Sequence, residues 1–263
     1  MNILPKLFTS ALIKNMKEAR LFKTDLSIIT LEEMSEMLIY KNNISVAVCN
    51  ANSVVRGARS GGIAKMLNTM SHKICDGYPL SKGINFLYKI NQERVDGYNL
   101  FFSTIEKGLK ENTSHYFFGN EEKVLEKFLI ELKSKYPEVN IEGHHCPPML
   151  DWKEFTIPKY LNMFEDLEAD VIWLSLGFPK QEKFMEYLVE NKVREYNILG
   201  VGNVFDWVAK TKYKAPEIFA KNGFEWLFRF IQEPFRLARR YIIDNTFFVY
   251  FFLKQYLSSD KTI

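Results

Sequence analysis

Asp76 follows the short run Lys73-Ile74-Cys75 and precedes Gly77. A carboxylate projecting from the end of such a strand can take a proton from an attacking hydroxyl, although an Asp-Gly pair also reads as a plain turn. Asp96-Gly97 repeats the pair between two helical patterns, where a turn or a helix N-cap is the better reading. A second group starts at the apolar run Val171–Leu176 and passes into Gly177-Phe178-Pro179-Lys180-Gln181-Glu182. Pro179 and Lys180 open a helix there, so unpaired N–H groups and the Lys180 cation would face a diphosphate; ordinary helix capping is the alternative. Gly200-Val201-Gly202-Asn203 ends another run, where glycines let backbone approach a ligand. Asp206 stands near the place of a third glycine, so the dinucleotide pattern GxGxxG is incomplete. Asn50-Ala51-Asn52 and Gly119-Asn120 also follow candidate strands.

The chain contains no Asp-x-Asp. A diphosphate leaving group would therefore be stabilised by cations and helix N-termini rather than by a carboxylate-held Mg²⁺. His144-His145-Cys146 is adjacent in sequence, and adjacent residues of an extended chain face opposite ways. With no second Cys/His pair at ligand spacing, neither a metal site nor a cofactor is expected. The three cysteines, none in a CxxC, suit a reducing compartment better than a disulfide framework.

What must position these residues is a series of short β-branched or aromatic runs alternating with helical patterns. Strands are expected over 44–49, 73–75, 116–118, 139–142, 171–176 and 197–201, and helices over 31–40, 58–70, 80–90, 100–110, 121–136, 180–191 and 224–241. Strands separated by helices imply parallel strands with crossovers, hence an α/β fold with a Rossmann-like open sheet flanked by helices. Ligands of such sheets sit beyond the carboxyl ends of the strands, the edge on which the polar and glycine-rich segments fall. With 263 residues, 47% of them hydrophobic and 25% charged, the chain suits one large α/β domain or two modest ones and excludes a disordered or collagenous protein.

The net charge of +3 is too small to suggest nucleic acid, but it is unevenly placed. Residues 210–263 hold ten Lys/Arg against five Asp/Glu, and 13 of the 39 aromatic residues fall between Phe219 and Tyr256. A body over 1–209 and a basic, aromatic appendage over 210–263 are expected, with Lys210–Pro216 as the hinge. Arg229, Arg236 and Arg240 follow a helical spacing with Arg239 beside them, and Pro234 should interrupt the helix. Such a segment can lie on an anionic membrane surface; a solvated basic face over a core contact is the plainer reading. Phe247–Leu253 is too short to span a bilayer, and the opening segment reads as no signal peptide.

Asn50-Ala51-Asn52, Asp76-Gly77, Arg94-Val95-Asp96-Gly97, Gly177–Glu182, Gly200–Asp206, Lys214-Ala215-Pro216, Glu225–Arg229 and Glu233–Arg236, in this order and spacing, closely resemble the WecG/TagA/CpsF glycosyltransferases. The resemblance covers roughly residues 40–245. It implies inverting, metal-independent transfer of a hexosyl unit from a UDP-sugar donor to a sugar on undecaprenyl diphosphate, at the cytoplasmic face of the membrane. The donated sugar would be N-acetylmannosamine or a relative. It also implies Asp76 as base, Arg94 and Gln181 at the active site, an appendage that docks on the membrane and closes over the site, and self-association of the body. Where the family usually has Asn-Pro-Glu, this chain has Asn52-Ser53-Val54. The rival readings are a nicotinamide-dependent oxidoreductase, disfavoured by the incomplete glycine pattern, and a non-catalytic membrane adaptor.

Overall fold

A computed structural model describes residues 17–156, 158–192 and 195–258. The opening segment, read above as no signal peptide, lies outside these residues.

Six parallel strands form the central sheet, in the order β4-β3-β8-β7-β5-β6. They are β3 (Ser45–Cys49), β4 (His72–Cys75), β5 (Ser114–Gly119), β6 (Asn140–His145), β7 (Val171–Ser175) and β8 (Asn197–Gly200). All five residues of β7, Val-Ile-Trp-Leu-Ser, are buried, as expected of a parallel strand covered on both faces. Helices cover the two faces: α1 (Leu31–Tyr40), α2 (Ala51–Arg59), α3 (Gly61–Thr69), α4 (Tyr78–Tyr88), α5 (Gly97–Gly108), α6 (Glu122–Lys135), α7 (Pro158–Asp166) and α8 (Lys180–Glu190). Two hydrophobic clusters result, one on each side of the sheet. Phe118, Phe164 and Phe184 pack together in the first, and Phe101, Phe117, Phe128 and Trp173 in the second. The chain then continues through α9 (Val204–Val208), α10 (Glu217–Lys221), α11 (Glu225–Gln232) and α12 (Pro234–Leu257).

The α/β fold and its six parallel strands are as the alternation predicts; one helix is corrected, and a hairpin that no expectation covered is added. An antiparallel hairpin, β1 (Lys17–Leu21) and β2 (Thr24–Ile28), precedes the sheet. Its two-residue turn places Phe22 rather than a glycine at positive φ, 61°, so the usual hairpin signal is missing. The helix expected over 58–70 is two helices broken at Ser60, and the first starts at Ala51. Asn50 and Ser53 form a reciprocal cap at its N-terminus, a pattern in which Ser53 replaces the more usual Glu or Gln of a capping box. The interruption expected at Pro234 is present: the stretch over 224–241 is two helices, because Pro234 opens a new helix at its first turn, a position where its missing N–H costs nothing. That second helix runs on to Leu257 and packs against α2 and the β1–β2 turn. There the Phe22 and Phe248 rings lie 5.2 Å apart and the Phe22 N–H donates to Gln255 at 2.8 Å. Lys210–Pro216, expected as a hinge, closes back on Asp206 through main-chain bonds from Thr211 and Lys212 to its carbonyl at 3.0 and 3.3 Å.

Candidate active site

Cys49 and Cys75 are direct neighbours in the register of β3 and β4. Each strand therefore releases its next residue at the same level, Asn50 from one and Asp76 from the other. The Asp76 N–H donates to the Cys49 carbonyl at 2.9 Å, extending the ladder by one bond and fixing where the carboxylate emerges. Burial pushes the thiols of Cys49 and Cys75 up, which leaves both protonated and unreactive.

Asp76 faces a cleft between the sheet edge and the C-terminal helices. Asn50, Asn52, Tyr78 and Arg94 line it from the body; Glu225, Trp226, Arg229, Tyr241 and Asp244 line it from α11 and α12. Arg94 comes from the coil between α4 and α5. Its Nε donates to the Asp76 main-chain carbonyl. A terminal guanidinium nitrogen lies 2.7 Å from Glu225 Oε2 and 3.7 Å from Asp76 Oδ1. The Asp76 side chain keeps 26% of its surface open to the cleft, enough for a substrate hydroxyl to reach it. Burial pushes the Asp76 carboxyl up to about 7; Arg94 and Arg229 oppose the rise, and Glu225 and Asp96 add to it. Burial works against the Arg94 charge, but Asp76, Glu225 and Asp96 outweigh it and raise its pKa. Asp96 caps α5 through the Asn99 N–H at 3.1 Å, the bland role expected of the second Asp-Gly pair. Asn52 Nδ2 donates to Asp244 at 2.5 Å, a second link between the body and the C-terminal helices.

The sequence-derived residues between Gly119 and Asp206 lie along the β5, β7 and β8 end of the same edge, outside this cleft. Gln181 is buried. Its Oε1 accepts the Gly177 N–H at 3.2 Å and its Nε2 donates to Glu182 Oε1 at 2.9 Å. Gly200 packs closely on it: a Cβ there would stand 2.4 Å from Gln181 Nε2, so any larger residue would displace this side chain from its hydrogen bonds. Asp206 accepts from Asn120 Nδ2 at 3.0 Å and pairs with Lys212 at 3.0 Å. The Ser175 hydroxyl donates to the Gly202 carbonyl at 2.7 Å, and Gly119 pairs with Ser175 inside the sheet. Gly177 and Gly202 border open space, and Lys180 is half-buried at the start of α8. Asn203 lines a small recess with Trp207, Lys212 and Arg229, so Arg229 touches both this recess and the Asp76 cleft. Arg236, Arg239 and Arg240 lie in the first two turns of α12. Among the described residues, no three His, Cys, Asp or Glu side chains converge as a metal site would require.

Two acids absent from the sequence-derived set are Glu225, which reaches Arg94, and Glu182. The latter is buried, one of its oxygens has no hydrogen-bond partner, and burial pushes it up to about 7 against the bond from Gln181. For both the signal is contextual: each is an acid in the first turn of a helix.

The arrangement offers a carboxylate able to accept a proton near neutral pH, a guanidinium that holds it, and cationic and main-chain donors suited to an anionic leaving group. A family model described as the WecG/TagA/CpsF family of glycosyl transferases matches residues 19–262. Relatives from Staphylococcus aureus strains MW2 and NCTC 8325 bear the name N-acetylglucosaminyldiphosphoundecaprenol N-acetyl-beta-D-mannosaminyltransferase. Each is 25% identical over 198 residues, covering 75% of this chain and 76% of the relative.

Proposed function

Starting from the chain's membership of the WecG/TagA/CpsF glycosyl transferase family, we propose that it moves an N-acetylmannosamine-type unit from a UDP-sugar to N-acetylglucosamine carried on undecaprenyl diphosphate, with inversion. The acceptor follows the names of the relatives. The observation that carries the reading is Asp76: it opens into the cleft, is held by Arg94, and has its proton affinity raised to about 7.

In a single displacement, the acceptor hydroxyl oxygen forms a bond to the anomeric carbon as the bond from that carbon to the UDP oxygen breaks. The hydroxyl proton passes to the Asp76 carboxylate, and the electron pair of the broken bond leaves with UDP. Attack from the face opposite UDP inverts the centre. Arg229, which borders both the Asp76 cleft and the Asn203 recess, is suited to the diphosphate as charge builds on it. Gln181 has both ends of its amide bound inside the protein, so it acts on the donor by shaping the Gly177 loop. Asn203 and Lys180 then serve the nucleotide side, and Asn50 and Asn52 the acceptor side.

Residues 210–263 act as the membrane-docking appendage in this reading. Among the described residues no helix is long and apolar enough to cross a membrane. Phe235, Ile242, Val249, Tyr250, Leu253 and Leu257 are exposed along α12, and Arg236, Arg239 and Arg240 fall in its first two turns. A basic helix with an open apolar face binds anionic lipid by charge and shallow insertion, which suits a lipid-borne acceptor at the cytoplasmic face. The test is a panel of UDP-sugars offered with a short-chain lipid-diphosphate N-acetylglucosamine acceptor, with products read by mass. A product heavier by one N-acetylhexosamine, formed from UDP-N-acetylmannosamine ahead of the glucose- and glucuronate-type donors, is expected; no transfer from any member of the panel would overturn the reading.

A further inference from the structure

We infer that Glu225 is a positioning residue of the transfer reaction, which seats the Arg94 guanidinium against Asp76 and raises the proton affinity of that base. The inference rests on the reading of Asp76 as the base.

Arg94 belongs to a coil and has no helix or strand of its own to fix it. One anchor, from Nε, goes to the Asp76 main chain. The close ion pair of its terminal nitrogen is with Glu225 at 2.7 Å, and Asp76 Oδ1 stands farther off at 3.7 Å. Glu225, more than the Asp76 carboxylate, therefore decides where that nitrogen sits. Both partners of the pair are only 18% exposed, which protects it from the screening that weakens surface pairs. The carboxylate is delivered by a close approach: Gly223 (φ 79°) lies so near Tyr78 that a Cβ would stand 2.7 Å from the ring, and α11 starts two residues later.

The charges around Asp76 explain why this is more than a brace. Arg94 and Arg229 favour its ionised form; Glu225 and Asp96 oppose it, and Asp96 has Lys214 at 3.9 Å. Two carboxylates thus share one guanidinium nitrogen, and the like charge of Glu225 makes Asp76 hold a proton more tightly. A base so tuned takes a proton more readily, is half ionised near pH 7 and becomes fully ionised above it. Arg94, already bound by the protein on two sides, is then chiefly a holder of the base, and Arg229 is left for the phosphates.

The experiment is the pH dependence of kcat/KM with a water-soluble short-chain acceptor, for wild type, Glu225→Gln and Glu225→Asp, alongside thermal melting of each. Glutamine keeps an acceptor for the Arg94 guanidinium but removes the like charge, so Asp76 ionises at lower pH and the acid limb of Glu225→Gln should move down by about one pH unit. Its plateau should fall on the order of 10-fold because the base is weaker and Arg94 is less well held. Glu225→Asp keeps the charge on a shorter arm and should return the limb most of the way to wild type. An unmoved limb in Glu225→Gln overturns the inference, whether activity is retained or is lost together with melting temperature. Transfer by the wild type under the same conditions keeps that outcome distinct from failure of the proposed activity.

Discussion

The two halves of the sheet's carboxyl edge carry similar residues in opposite states. At the β5, β7 and β8 ends, Gln181, Asn120 and Asp206 make their hydrogen bonds to one another's loops and to Glu182, Gly177 and Lys212. At the β3 and β4 ends, Asp76 opens into space, and its charge partners come from a coil and from a helix more than a hundred residues later in the chain. Polar residues at a strand end are thus of two kinds. One kind builds the rim and one faces the ligand, and partner satisfaction separates them where sequence position does not.

Four changes probe the contrast. Asp76→Asn should lower turnover by ~10²- to 10⁴-fold while keeping UDP affinity, the loss associated with a positioned base; steady-state kinetics with calorimetric UDP titration measure both. The same variant should melt a few °C higher at pH 8. The sign follows from linkage: Asp76 has a raised pKa, so the folded state holds the proton more tightly than the unfolded state. Stability attributable to it is present below the unfolded value and is lost as pH rises toward about 7. Asparagine removes the buried charge, and the gain should vanish near pH 4.

On the other half, Asp206→Ala should cost roughly 1 kcal/mol of stability by removing the closer of two acceptors of the Asn120 amide, leaving it Ser175 Oγ at 3.3 Å, and by taking away the Lys212 partner. Chemical denaturation measures it. Catalysis should suffer less than in Asp76→Asn, and a reversed ranking would dissolve the contrast between the halves. Replacing Arg236, Arg239 and Arg240 by Glu should weaken attachment to anionic vesicles by about 1 kcal/mol or more per position. Cosedimentation at low and high salt reads this out, and pelleting that ignores both salt and substitution would make α12 a structural cover alone. The smallest effect is expected from EDTA, which should leave turnover unchanged because the chain carries no Asp-x-Asp to hold a metal on the diphosphate; restoration of a lost activity by Mg²⁺ or Mn²⁺ would show otherwise.

Much of this was legible in the sequence because the signals were local. The parallel sheet follows from short apolar runs between helical patterns, and the place of Asp76 from its position just after one of them. The break at Pro234 follows from proline chemistry. What escaped depended on partners distant in the chain. Gln181 reads as a ligand residue until Gly200 is seen to close over it. Glu225 reads as a helix-start acid until Arg94 is found 2.7 Å away. The hairpin turn hid because Phe22 took a conformation that a glycine or asparagine usually marks. The extent of α12 hid because the run over 247–253 reads as membrane contact, whereas Phe248 and Phe252 pack against the body's core.

The wild-type pH profile of kcat/KM for glycosyl transfer, taken between pH 5 and 9 with a soluble acceptor, tests the central claim most directly. If Asp76 is the base, the rate rises with pH through a single limb centred near its value of about 7 and then levels, and Asp76→Asn abolishes the limb. A profile flat across that range, or an Asp76→Asn enzyme that keeps both limb and turnover, would contradict it.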